Sequence, residues 1–259
     1  MKTKSLLVMV MFVLLFMLVS CEKNESDNGS FDFNIHDYRV ENVLYSKGSK
    51  LKRVYQVYSE ESKRLQAEYQ YDTYGRISRV DFGTESNRFD IYLYNSKGEL
   101  EEISSYYDLP NPFKIIVYTY NTEGKKIKEQ TKWSAGVTSV EYDLFQYNGK
   151  KLVRQEHYEE DHQTYYKVFE YESDELVREK FFVPGSPDYG TTEHFYDKTL
   201  LVYSVSYSNN SKADLMGDDK KYYDWNDNLI RKVENIPGLS SSTYYPGLTF
   251  YVTSEYEYE

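Results

Sequence analysis

The sequence is poor in the residues that most often carry catalysis or covalent cross-links. Its 259 residues include one cysteine, four histidines and six prolines. A single cysteine excludes a disulfide within the chain in any redox compartment. No Gly-x-Ser-x-Gly elbow, phosphate-binding glycine loop or dinucleotide-binding fingerprint occurs. We therefore predict no catalytic residue and no cofactor, although carboxylates are too frequent in this acidic chain to exclude an enzyme.

Positive charge is scarce as well. The chain carries 31 Lys and Arg against 42 Asp and Glu, which gives a formal net charge of −11 at pH 7. No basic cluster interrupts this acidic background. Binding to a phosphate backbone depends on such clusters, so nucleic acid is not a predicted partner.

There is one long hydrophobic run, Leu6–Val19, and it follows Lys2 and Lys4. It falls short of the roughly 20 residues that a transmembrane helix needs, and it has the layout of a secretory signal peptide. The run ends in Leu-Val-Ser-Cys at residues 18–21, which resembles the lipobox of bacterial lipoproteins. The resemblance implies cleavage before Cys21, acylation of Cys21 and a membrane as partner. The alternative is an ordinary signal peptide with an incidental cysteine.

These features divide the chain into a signal peptide at residues 1–20, an acidic tether at 21–30 and a folded domain at 31–259. The tether is polar and lacks apolar periodicity, which is typical of a flexible linker. Acidic residues just after Cys21 are similar to export signals of surface-displayed lipoproteins in some Gram-negative bacteria. The predicted location is therefore the outer membrane of a Gram-negative bacterium, with exposure at the cell surface as the finer expectation.

Tyrosine is abundant, with 30 residues, and it occurs in a repeated unit best seen at Tyr69–Val80. Tyr69 and Tyr71 lie on one side of a strand, because side chains alternate with period 2. Asp72 favours a turn by bonding to the backbone ahead of it, and Gly75 supplies the positive φ of a turn with a bulge. The residues after Gly75 are typical of a returning strand, so the unit is predicted to be a β-hairpin.

The unit recurs along the domain with a period of about 25 residues, which indicates an array of one supersecondary element. The tyrosine before each turn marks it, at Tyr45, Tyr71, Tyr94, Tyr120, Tyr147, Tyr171, Tyr196 and Tyr223.

The pattern Tyr-Asp-x-x-Gly-Arg at residues 71–76 resembles the YD repeats of Rhs-type proteins. The resemblance covers about residues 43–235 and implies an all-β, antiparallel hairpin array of about eight units. We expect one curled or superhelical meander sheet. A closed barrel of about sixteen strands is the less favoured alternative, since its lumen would bury little of each ring, and a four-bladed propeller is another. The unit at residues 255–259 has no return strand, so it is expected to cap an edge or to pair near Val43–Tyr45.

The two kinds of turn differ, and the difference indicates where a ligand binds. Alternate turns of a meander lie on opposite edges, so one edge carries the near-constant turns and the other carries turns of variable length. Variable loops on a rigid scaffold often bind ligands. Candidate ligand-binding residues near that edge are Tyr106, Tyr107, Trp133 and Tyr158, whose rings are suited to stacking on an extended glycan or peptide. The alternative is that these rings are strand-end core residues.

Two segments have some metal-ligand character. His157–His162 contains two imidazoles and three carboxylates, which suit Zn²⁺, but it falls in a variable turn where polar residues are common. Asp224–Asn228 resembles the start of a calcium loop but lacks the glycine and distal glutamate of an EF-hand. In the repeat register Asp227 replaces the turn glycine, so no metal site is predicted.

The sequence thus favours a lipid-anchored, extracytoplasmic binding or scaffold module that recognises a glycan or a protein through its variable edge. A glycan-processing enzyme with carboxylates in the variable loops is one alternative. A role in cell-surface competition or immunity, implied only by the Rhs-like resemblance, is another.

Overall fold

A computed structural model describes residues 39, 43–59, 62–83, 87–108, 110–134, 140–186, 188–208, 215–236 and 250–259. The predicted signal peptide, the tether and Cys21 lie outside the described residues. Among the described residues, no helix has the length and apolar character needed to cross a membrane.

The described residues form sixteen antiparallel strands in simple meander order. The strands are β1 Leu51–Ser59, β2 Ser62–Tyr71, β3 Ile77–Phe82, β4 Arg88–Tyr94, β5 Leu100–Tyr106, β6 Lys114–Tyr120, β7 Lys126–Trp133, β8 Glu141–Asn148, β9 Lys151–Glu159, β10 His162–Glu172, β11 Glu175–Phe182, β12 Asp188–Asp197, β13 Leu200–Ser208, β14 Leu215–Tyr223, β15 Leu229–Ile236 and β16 Phe250–Tyr258.

The sheet closes into a barrel, so the expectation of an open curled sheet is wrong. The C-terminal strand β16 pairs with β15 on one side and with β1 on the other. Val54 lies opposite Tyr256, and Lys50 and Glu259 exchange backbone hydrogen bonds beyond the strand ends. The half-unit at the C-terminus therefore pairs with β1 and not with Val43–Tyr45. It completes the first repeat unit, whose return strand is β1. Closure gives each of the sixteen described strands a partner on both sides, which is its physical advantage over a curled sheet.

The near-constant turns lie at one end of the barrel, which we call the constant rim, and four of them share one geometry. The Asp72 carboxylate accepts hydrogen bonds from the N–H groups of Tyr74 and Arg76, both at 2.9 Å. Gly75 has φ of 80°, and Asp227 takes the same place at φ of 68°, as predicted from the repeat register. The same pair of side-chain bonds recurs at Asn95, Asn121 and Asp224.

Among the described residues, five of the eight marker tyrosines bond to the preceding unit through their hydroxyl groups. The Tyr94 hydroxyl donates to the carbonyl of Ile77 at 2.9 Å, while the Arg76 guanidinium lies 4.2 Å from the centre of the Tyr94 ring. Cation–π contacts of this kind contribute about 0.5–1 kcal/mol each at exposed sites. The hydroxyl bond recurs at Tyr71, Tyr120, Tyr147, Tyr223 and Tyr258. The cation recurs as Lys50 on Tyr71, Lys125 on Tyr147 and Lys151 on Tyr171.

The face that carries these tyrosines is the inside of the barrel. Burial raises the pKa of Tyr165 on β10, and nearby carboxylates that include Glu129 on β7 raise it further. From β7 to β10 there are three strand spacings, about 14 Å along the sheet. Glu129 and Tyr165 therefore approach each other only if they lie on the concave side of the sheet. Burial, followed by Asp90 and neighbouring tyrosines, likewise raises the pKa of Tyr92 to about 12.

A lumen buries only part of each inner ring, but the buried area is not the only contribution of these tyrosines to stability. In the structure the inner rings are half-buried and also gain a hydroxyl hydrogen bond to a backbone carbonyl, and several gain a cation. Tyrosine is suited to this setting because it joins an apolar ring to a polar end. A lumen that exposes part of each ring is therefore compatible with tyrosine. A wholly apolar side chain in the same place would contribute less to stability.

Candidate ligand site at the variable rim

The turns of variable length lie at the opposite end of the barrel, which we call the variable rim. Directly opposed residues of neighbouring strands lie on the same face of a sheet. Asp90, Ser105, Lys114 and Trp133 are opposed in turn across β4, β5, β6 and β7. Val80 begins the same row and is opposed to Tyr69, so the row belongs to the inner face.

Three aromatic rings meet at the rim end of this row. Tyr107 stacks on Phe113 with ring centres 4.4 Å apart, and Phe113 lies 6.3 Å from Trp133. Tyr107 is 47% exposed and Trp133 is 37% exposed. The Lys114 ammonium lies 5.6 Å from the Trp133 ring. The rings therefore present a continuous, partly exposed aromatic surface with a cation beside it.

Three polar groups beside this surface have buried atoms that lack hydrogen-bond partners among the described residues. These atoms are Nε of Arg88, Oδ1 of Asp90 and Oγ of Ser105. Asp90 and Ser105 are both buried, and Arg88 Nη2 lies 3.9 Å from Asp90 Oδ1, beyond hydrogen-bonding distance. Buried polar atoms are usually paired, so a neighbouring set without partners is typical of a place that a ligand or ordered water completes.

Arg88 connects the polar groups with the aromatic surface. Its guanidinium carbon lies 4.4 Å from the ring centre of Phe82 and 5.8 Å from that of Phe113. We call the set of Arg88, Asp90, Ser105, Tyr107, Phe113, Lys114 and Trp133 the rim site. It offers partly exposed aromatic rings for stacking and two cationic groups, beside a buried carboxylate and a buried hydroxyl.

The four predicted ligand-binding residues do not form one row. Trp133 lies on the inner face and Tyr107 reaches it through Phe113. Tyr106 is opposed to Phe89 and stacks on it at 5.0 Å, on the outer face. Tyr158 is opposed to Tyr142 and stacks on it at 4.9 Å, also outside. The structure thus brings Tyr107 and Trp133 together and places Tyr106 and Tyr158 apart from them.

The sequence also missed members of the rim site. Asp90 had a visible signal, because it interrupts the otherwise apolar strand Phe89-Asp90-Ile91-Tyr92 on the same side as Tyr92. Ser105 and Arg88 had none, since their meeting with Asp90 depends on the strand register.

The segments with metal-ligand character occupy separate places. His157 stacks on Tyr165 at 4.5 Å and contacts Asp143, whereas His162 bonds to the carbonyl of Glu160. Asp224 accepts turn N–H groups, as expected from the repeat register. Within the described ranges, no group of three His, Cys, Asp or Glu residues is placed to hold a metal ion.

The sequence matches no protein-family profile and no curated protein. Its fold is similar to that of solved structures at low sequence identity. A porin-like protein from Bacteroides uniformis is 11% identical with a TM-score of 0.55, over 83% of this chain and 98% of that one. A porin-like protein from Bacteroides vulgatus is 10% identical with a TM-score of 0.49, over 82% and 99%.

A complex described as TcdB2-TccC3-Cdc42 also contains a similar chain. It is 12% identical with a TM-score of 0.36, and the match covers 78% of this chain but 13% of that much longer one. At these identities the comparisons concern the fold alone, and the similarity to the porin-like protein from Bacteroides uniformis supports an all-β, antiparallel barrel.

Proposed function

We propose that this protein is a lipid-anchored, extracytoplasmic barrel that binds an extended glycan at its rim site. The observation that carries the proposal is the joining of partly exposed rings at Tyr107 and Trp133 with the unpartnered polar atoms of Arg88, Asp90 and Ser105. Sugar recognition uses this combination, because a pyranose has an apolar face that stacks and hydroxyls that donate and accept. Arg88 and Lys114 outnumber Asp90, so glycans with acidic sugars are favoured over neutral ones.

The charges on the barrel wall support an anchored barrel that stands in water. Arg178 in the middle of β11 pairs with Glu170 at 2.8 Å on the outer face. Lys167 in the middle of β10 pairs with Glu179 at 3.7 Å on the inner face. An Arg or Lys facing lipid at the bilayer midplane costs about 2–4 kcal/mol. A wall with such a pair on its outer face is therefore better suited to water than to a lipid core.

The described residues that precede β1 contact the constant rim. Arg39 forms an ion pair with Asp227 at 2.9 Å, and the N–H of Tyr45 donates to the Asp224 carboxylate at 2.8 Å. Both partners lie in the turn between β14 and β15, at the constant rim. Arg39 and Tyr45 thus both contact the constant rim, at the end of the barrel opposite the rim site.

The anchor makes a direct prediction. Cys21→Ala should move the protein from the membrane fraction to the soluble fraction, because each acyl methylene contributes about 0.8 kcal/mol of membrane affinity. Fractionation followed by immunoblotting measures this, with Cys21→Ser as a second variant. If both variants stay in the membrane fraction, the acyl anchor is refuted.

The rim site makes a second prediction, which uses the two tryptophans of the chain. Trp133→Ala should weaken glycan binding by several-fold to about tenfold, since a stacked ring contributes about 0.5–1.5 kcal/mol beyond the area it buries. Glycan-array screening of the purified protein in detergent identifies the ligand, and calorimetry measures the change. The melting temperature should move little, because the Trp133 ring is 37% exposed.

Trp225 supplies the matched control, because it is 63% exposed at the constant rim. Trp225→Ala should bind the glycan as the wild type does. In Trp225→Phe the remaining Trp133 should report binding by fluorescence, whereas the remaining Trp225 of Trp133→Phe should not. Equal loss of affinity in both alanine variants, or a large fall in melting temperature without any glycan ligand, would reject the rim site. A hit on a protein array in place of a glycan would reassign the ligand class.

A further inference from the structure

A second concave feature lies in the barrel wall, away from the rim site, over β10 to β15. Two adjoining cavities of about 300 and 450 Å³ share Thr192, Ser206 and Met216 as lining residues. Volumes of this size are in the range of small-molecule sites. We call the joined space the wall pocket.

The wall pocket exists because a row of small side chains crosses three neighbouring strands there. Thr192 is opposed to Ser206, and Ser206 is opposed to Gly217. Ser204 lies two residues before Ser206 on the same face, and Gly190 lines the space two residues before Thr192. Phe181 and Met216, which is half-exposed, stand beside this floor of small residues. The row is inner-facing, since Glu179 is opposed to both Phe169 and Thr192.

A hydrogen-bonded chain fixes the polar groups of the floor. His194 Nδ1 lies 3.1 Å from Ser204 Oγ, and His194 Nε2 lies 3.2 Å from Glu179 Oε1. The hydrogen bond from His194 lowers the pKa of Glu179 against the burial that raises it, so Glu179 is charged. Thr192 Oγ1 and Ser206 Oγ bond to each other at 2.9 Å. The floor is thus an ordered array of hydroxyl and imidazole groups.

The charged side chains around the floor already have partners within the protein. Glu179 pairs with Lys167 at 3.7 Å, and Asp219 pairs with Lys221 and lies 3.9 Å from Lys232. Lys232 also pairs with Glu234. Each of these three carboxylates thus meets an ammonium group, and Asp218, a fourth carboxylate of the lining, also has a partner within the protein. A charged ligand would have to break these pairs. An uncharged ligand with many hydroxyls can leave them intact, because its hydroxyls donate to the carboxylate oxygens and accept from the ammonium N–H groups.

We infer that the wall pocket binds a neutral sugar of mono- or disaccharide size. Thr192, Ser204 and Ser206 exchange hydrogen bonds with its hydroxyls, the paired carboxylates accept from neighbouring hydroxyls, and Phe181 packs against its apolar face. The inference does not depend on the rim site, which shares no residue with the wall pocket.

Saturation-transfer NMR and calorimetry test this with defined probes. Glucose, galactose and N-acetylglucosamine are the neutral probes, and glucuronate and glucosamine are their charged counterparts. At least one neutral probe should bind, and both charged probes should bind more weakly. Absence of binding by all neutral probes, or tighter binding of a charged probe to the wild type, would overturn the inference.

Two variants locate the sugar. Ser206→Leu fills the floor and should weaken binding at least tenfold, while Ser62→Leu, an exposed position at the start of β2, should leave it unchanged. Asp219→Asn keeps the shape but leaves one ammonium unbalanced, so glucuronate should gain affinity relative to the wild type. Unchanged sugar affinity in Ser206→Leu would overturn the inference, and so would unchanged selectivity in Asp219→Asn. Trp133→Ala should keep wall-pocket binding, which separates this result from any failure at the rim site.

Discussion

Removal of residues 250–259 is expected to prevent the barrel from folding. These residues supply β16, which forms ladders with both β1 and β15. Without them, two strands lose their partners and become open edges, which favour aggregation. The loss of two ladders exceeds the roughly 5–15 kcal/mol of net stability that a typical domain has. The truncated chain should show no cooperative thermal transition by circular dichroism.

Addition of the missing strand as a peptide gives this experiment its control. A synthetic peptide of residues 250–259 should restore a cooperative transition when it is present during refolding, and a scrambled peptide should not. A truncated chain that is monomeric and melts at the wild-type temperature would show that β16 does not close the barrel.

Asp224→Ala should destabilise the protein by about 3–5 kcal/mol, since it leaves buried N–H groups without acceptors. Asp224 is fully buried, and its carboxylate accepts from the N–H groups of Asn226 and Asn228 and of Tyr45. It also accepts from the Asn228 side chain at 3.0 Å. The residue thus joins the last constant turn to the segment that precedes β1. Chemical denaturation followed by tyrosine and tryptophan fluorescence measures the loss.

The repeat supplies a matched comparison for Asp224. Asp72 holds the equivalent place, but its carboxylate is part-exposed and accepts from its own turn and from Arg76. Asp72→Ala should therefore cost clearly less than Asp224→Ala. Equal losses would mean that the contact between Tyr45 and the last turn adds nothing to stability.

The acid dependence of stability follows from the same carboxylate. Burial raises the pKa of Asp224, but the hydrogen bonds from Asn228, Tyr45 and Asn226 outweigh burial and lower the pKa in the folded state. The contribution is therefore complete above the unfolded-state pKa of about 4 and is lost as the pH falls through the folded-state value. Asp224→Ala should flatten the acid limb of a plot of stability against pH.

Local features of the fold could be predicted from the sequence because each depends on neighbouring residues. Gly75 and Asp227 mark turns through the positive φ that they tolerate, and Tyr69 and Tyr71 mark a strand before its turn. Closure could not be predicted in this way. Whether β16 meets β1 depends on strand number, tilt and stagger summed over the whole array, and no single unit encodes these quantities.

The candidate site was predictable only in part for a related reason. Trp133 and Tyr107 could be named as candidates because aromatic residues near variable loops stand out in a sequence. The placement of Tyr106 and Tyr158 on the outer face was not foreseen, because a face is assigned by register. Bulges such as the one between Leu93 and Tyr94 shift that register within a strand pair. The contact between Asp90 and Ser105 likewise depends on how β4 and β5 align.

Disulfide trapping between β1 and β16 tests the closed barrel most directly. Gln56 and Ser254 are partners across this seam, and Cα atoms of antiparallel partners lie about 4.5–5.5 Å apart, within the range that a disulfide spans. In a Cys21→Ala background, Gln56→Cys with Ser254→Cys should form an intramolecular disulfide under mild oxidation. Gln56→Cys with Gln146→Cys, on β8 across the barrel, should not. Free thiols at positions 56 and 254 in the folded, monomeric protein would contradict the closed barrel.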